Sequence, residues 1–170
     1  MHKWIGAFLV FGSVVVCGTY PLYCKSCRLR LLIELIGALE NMKVELHSNA
    51  PTLPRLMESV VLCANGKAKH FFEALHKTMR EKGAMEFYDE WERQTHKELQ
   101  AFTYRERTEV LRLGDMLGCY LIEDQVESIE RTIAVLREGA FSTKAYIRER
   151  LKLYLGTSVS IGMLAVIVLL

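Results

Sequence analysis

Apolar residues recur every three or four positions along most of this chain and never alternate over a useful length, so the pattern predicts helices and no sheet. Leu29, Leu32, Ile36, Leu39, Met42 and Leu46 form the stripe of a first helix that ends near His47-Ser48-Asn49. Pro51 and Pro54 oppose its continuation, while Thr52 can cap a second helix from about Leu53 to Ala64, with Leu56, Val60 and Cys63 on one side. Asn65-Gly66 marks the next turn. A third helix carries Ala68, Phe72, Leu75 and Met79 and stops at Gly83. The fourth sets Tyr88, Trp91, Leu99 and Phe102 on one face and Glu86, Asp89, Glu90, Glu92 and Lys97 on the other.

Thr103-Tyr104-Arg105-Glu106 has the form of a capping box and starts a fifth helix, with Val110, Leu113 and Leu117 inward. Gly114 and Gly118 lie four apart and read as a close packing contact or a helix end. The last element repeats apolar residues with a period of 3.5, through Ile122, Val126, Ile129, Ile133, Leu136, Ala140, Thr143, Ile147, Leu151 and Tyr154, with Gly139 as a candidate bend. The predicted fold is all-α, an antiparallel bundle of about six helices between an N-terminal and a C-terminal transmembrane helix.

The two ends carry that membrane reading. Leu153 to Leu170 is 18 residues without a charge, and Trp4 to Cys24 is 21. As a helix the former rises about 27 Å, close to the hydrocarbon thickness of a bilayer. A secretory signal peptide competes for the first segment, but Val16-Cys17-Gly18-Thr19 is a poor small-x-small cleavage site. The expected organisation is residues 1–24 as an N-terminal span, 25–152 as a helical domain and 153–170 as a C-terminal span. Lys25, Arg28 and Arg30 follow the first span, and Lys144, Arg148, Arg150 and Lys152 precede the second. Basic residues on both inner flanks predict a cytoplasmic domain in the cell membrane.

Composition adds mostly exclusions. The 22 basic and 20 acidic residues nearly balance, which speaks against a nucleic-acid surface. Five cysteines make an odd count, and Cys24-Lys25-Ser26-Cys27 has redox or half-zinc spacing without a second pair to complete it. The histidines form no metal-ligand spacing, no phosphate-cradling loop or nucleophile elbow occurs, and no cofactor or enzymatic activity is expected. Two partner-binding candidates remain: the acidic run Glu86, Asp89, Glu90 and Glu92, and the group Gly114, Gly118 and Gln125. Their plain alternatives are a solvated helix face and a packing contact. A sensor built on the long heptad, or a membrane-proximal dithiol at Cys24 and Cys27, are the other function classes in view.

The Glu45 to Pro54 turn, the Trp91 helix, Leu113-Gly114-x-x-Leu117-Gly118 with Gln125 and Ile129, and the terminal Leu155-Gly156 together resemble the stage III sporulation protein AB family over essentially the whole chain. Leu121 stands where that family usually has Asp, and Pro51-Thr52 replaces a common Thr-Pro order. The resemblance implies similarity to the F-type platform domain of type II secretion and type IV pilus systems, and no catalysis. It also implies a place in the channel apparatus between mother cell and forespore. The implied partners are a sporulation secretion ATPase of the stage III sporulation protein AA type and other membrane components of the channel.

Overall fold

The computed structural model describes the backbone of residues 2–83, 86–118 and 121–169, and the side chains of 22–83, 86–118, 121–151 and 153. Six helices and no strand occur among them: α1 (His2–Asn49), α2 (Leu53–Cys63), α3 (Gly66–Lys82), α4 (Phe87–Glu98), α5 (Tyr104–Met116) and α6 (Ile122–Leu169). Among the described residues no helix is long and apolar enough to cross a membrane. The spans expected at 1–24 and 153–170 lie almost wholly outside the described side chains, as do Cys17, Cys119, Lys152 and Tyr154.

The chain divides into two compact units, residues 30–140 and residues 1–29 with 141–170. The central unit is built by stacking helices that follow one another, α2 on α3, α3 on α4 and α4 on α5. α1 and α6 run antiparallel within it, since Lys43 Nζ meets Glu130 Oε1 at 3.2 Å and Arg137 pairs with Glu40. Leu32, Leu35, Leu39 and Met42 of α1 and Ile129, Ile133 and Leu136 of α6 enter one core with the residues of the shorter helices. The predicted α1 stripe is there from Leu32 on, widened by Leu31, Leu35 and Ala38, while Leu29 and Ile36 are only half-buried.

The centre of that core is aromatic. Phe71, Phe72, Phe87 and Trp91 are all buried, with Trp91 5.1 Å from Phe71, 6.3 Å from Phe72 and 5.6 Å from Phe87 between ring centroids. The pairs with Phe71 and Phe72 are edge-to-face, and such pairs contribute about 0.5–1.5 kcal/mol each beyond the area they bury. The Trp91 indole N–H donates to the Val110 carbonyl at 2.8 Å, so the ring is fixed in orientation as well as buried.

Helix boundaries follow the sequence signals with three local differences. Thr52 occupies the N-cap of α2 in extended backbone, but its hydroxyl makes no capping bond there. α4 ends at Glu98, so Leu99 and Phe102 fall in the following turn and reach the core from outside the helix. α1 ends through Ala50, whose φ of 42° is a left-handed conformation ahead of Pro51. The capping box of α5 forms as predicted: Glu106 Oε2 accepts from Thr103 N at 2.7 Å and Thr103 Oγ1 accepts from Glu106 N at 3.4 Å.

Candidate partner-binding surfaces

The acidic run is split by the helix that carries it. Glu86, Asp89 and Glu92 are exposed, whereas Glu90 is 5% exposed. Glu90 accepts from Gln94 Nε2 at 2.6 Å and pairs with Arg93, so it braces α4 and does not face a partner. The reason is angular: at 100° per residue Glu90 falls beside Phe87, Trp91 and Gln94 on the buried arc of α4. Expecting Glu90 on the solvated face was therefore incorrect. Of the exposed three, Glu86 holds Lys82 Nζ at 2.8 Å, and this hydrogen bond raises the Lys82 pKa above its ordinary value. Glu92 lies 3.8 Å from His96.

The two glycines of the second candidate do different work and do not present a common face. Gly114 sits in the last turn of α5 directly under Trp91, where a Cβ would lie 2.7 Å from Trp91 Cγ. Gly118 lies beyond the helix end with φ of 81°, a left-handed position that favours glycine. Its N–H donates to Gln125 Oε1 at 3.3 Å, and a Cβ there would touch Leu53 Cδ2 at 3.0 Å. Gln125 is itself buried. The Leu-Gly-x-x-Leu-Gly spacing followed by Gln thus makes a seat for an indole and a turn into α6. It is an internal joint, and the plain packing reading holds.

Sequence reasoning missed one carboxylate of this kind. Glu34 of α1 accepts from the Lys67 backbone N–H at 2.9 Å and from Arg30 Nε at 3.0 Å, supplying the N-terminus of α3 with the negative charge that its own Asn65 does not. Gly66, at φ of 58°, leaves the space into which that carboxylate fits. Gly139 does the same for Glu106: a Cβ would lie 2.9 Å from Glu106 Cδ, and the glycine does not end α6. A glycine more than 30 residues away in sequence gives no local hint of either contact.

Of the basic residues expected to set topology, Arg30 is engaged with Glu34, as above. In the unit formed by residues 1–29 and 141–170, Arg28 Nη1 donates to Thr143 Oγ1 at 3.0 Å, and Lys25 and Arg150 both lie against the Tyr146 ring. Lys144 and Arg148 are exposed. Cys24, Cys27 and Cys63 are free and exposed. Among the described residues no group of three or more His, Cys, Asp and Glu could hold a metal ion.

The fold, the Trp91 seat and the Gly118 to Gln125 turn are the features that the motif of the sequence encodes. The family model described as stage III sporulation protein AB (spore_III_AB) matches residues 3–170. The chain belongs to the stage III sporulation protein AB family. Membership supports a sporulation-related role. No curated protein and no solved structure matches the chain. Of the four acids in the run on α4 and its N-terminal flank, Glu86, Asp89 and Glu92 are exposed and Glu90 is not.

Proposed function

We propose that this chain is a non-enzymatic platform component of the sporulation channel apparatus, anchored in the cell membrane by residues 1–24 and 153–170, with residues 25–152 in the cytoplasm. Its cytoplasmic partner is a secretion ATPase of the stage III sporulation protein AA type. The observation that carries the reading is the family match across residues 3–170. The helix pattern supports it: α1 and α6 are each 48 residues long and contain both the core positions of the bundle and the apolar terminal segments. A load applied to the bundle by the ATPase then has two helical backbones along which to act.

The exposed face of α4 is the docking surface in this reading, because it presents Asp89 and Glu92 while the other face of the same helix is fixed in the aromatic core. Co-purification of the full chain in detergent with the ATPase, with ATP hydrolysis measured in both states, tests the platform role. A stable complex supports it; no complex under any detergent condition removes the ATPase from the reading. Asp89→Lys with Glu92→Lys should abolish the complex at unchanged thermal stability. Glu90 is unsuitable for such a reversal, since a lysine there would place an unpaired charge in a buried position and unfold α4 instead.

A further inference from the structure

We infer that the two basic segments flanking the terminal stretches fold into a single site for anionic phospholipid headgroups, centred on Tyr146. The inference rests on the membrane-anchored reading above. Residues 22–29 and 141–152 contain six Lys and Arg against one carboxylate, Glu149. In the sequence these are separate flanks, and each alone is an ordinary topology signal. In the structure Arg28 and Lys25 of the first segment meet Thr143 and Tyr146 of the second, and Arg150 joins Lys25 at the Tyr146 ring.

The juxtaposition is specific. The Arg28 guanidinium reaches Thr143 across 115 positions of sequence, at 3.0 Å. One turn before Arg28, Lys25 Nζ lies 5.6 Å from the centroid of the Tyr146 ring, and one turn after Tyr146, Arg150 Cζ lies 5.3 Å from it. The negative face of the ring attracts both cations and orients them, but it does not neutralise them. Two like charges held at one ring leave the place positive, and an anion that reaches them offsets that charge.

The surroundings select a lipid phosphate over an acidic protein segment. Tyr23 and Leu153 in the same unit are 70% and 55% exposed. Exposed aromatic and aliphatic side chains mixed with Lys and Arg make the composition of a membrane interface, where rings sit at headgroup depth and long basic side chains reach phosphates. Clusters of four to eight basic residues beside a span attract anionic lipid in this way.

The test uses the full chain, extracted from membranes of mixed phosphatidylcholine and phosphatidylglycerol, with retained lipids counted by native mass spectrometry. Phosphatidylglycerol should be enriched over phosphatidylcholine by about tenfold or more. Lys25→Gln with Arg148→Gln and Arg150→Gln should bring the ratio close to that of the membrane, whereas Lys25→Arg with Arg150→Lys should keep the enrichment. Arg148 and Arg150 are exposed and Lys25 is half-buried, and an unchanged helical circular dichroism spectrum certifies the fold of each variant. Equal retention of the two lipids by the natural chain, or an enrichment that survives neutralisation, overturns the site while leaving the anchors in place. Loss of ATPase co-purification on neutralisation, without any lipid preference, assigns the cluster to an acidic protein and overturns it as well. Release of the natural chain from membranes by alkaline carbonate would overturn the anchored reading itself, and this inference with it.

Discussion

Replacing Gly114 by alanine should destabilise the central bundle by about 3 kcal/mol, although helix propensity alone argues the opposite. A glycine in a helix costs up to about 1 kcal/mol relative to alanine, so an isolated α5 would gain from the change. In the folded chain the new methyl group would lie 2.7 Å from Trp91 Cγ, well inside van der Waals contact. Trp91 cannot move away freely, because Phe71, Phe72 and Phe87 surround it and its N–H is bonded to Val110. Overpacking a core by one methyl group costs about 1–3 kcal/mol. If the indole shifts, a buried N–H loses its acceptor, which costs about 1–3 kcal/mol more. Central values for the two penalties, less the propensity gain, leave about 3 kcal/mol, a large part of the stability of a typical domain. Urea unfolding of residues 25–152, where Trp91 is the only tryptophan, reads this directly by fluorescence. At a slope near 2 kcal/mol/M the midpoint should fall by about 1.5 M. Gly37→Ala is the control, since nothing lies within 4 Å of its Cβ position and only the propensity gain remains. A Gly114→Ala midpoint at or above that of the natural chain would refute the packing argument.

Three further outcomes are expected. Ala50→Gly should raise stability by up to about 1 kcal/mol, seen as a higher melting temperature, because the residue already holds a left-handed φ of 42° that glycine adopts without strain. Glu34→Ala should cost about 1 kcal/mol and speed amide exchange at Lys67, since the N-terminus of α3 loses its acceptor. The Lys82 to Glu86 pair, whose hydrogen bond raises the Lys82 pKa from 10.5, contributes fully below that value and loses its contribution as pH rises through the higher folded pKa. Glu86→Gln should therefore lower the Lys82 ammonium titration measured by NMR and leave stability between pH 6 and 9 free of any pH dependence from this pair.

Much of this protein was legible because its signals are local. Periodicity placed six helices, the two prolines separated α1 from α2, and Thr103 with Glu106 announced the start of α5 through a bond that spans three residues. Family membership, too, follows from the order and spacing of residues over positions 3–170. Only the tertiary structure decided which face each ambiguous side chain takes. Glu90 reads as one acid among four until the packing of α4 on α3 and α5 sets the buried arc and brings Gln94 and Arg93 to its carboxylate. Gly114 and Gly118 read as a pair until one is found beneath an indole and the other past the helix end at a positive φ. Glu34 at the N-terminus of α3, and Lys25 with Arg150 at Tyr146, join residues far apart in the chain. A single sequence records the spacing along each helix but not the rotation and offset between helices, and it is that rotation that turns a list of charges into a brace or a cap.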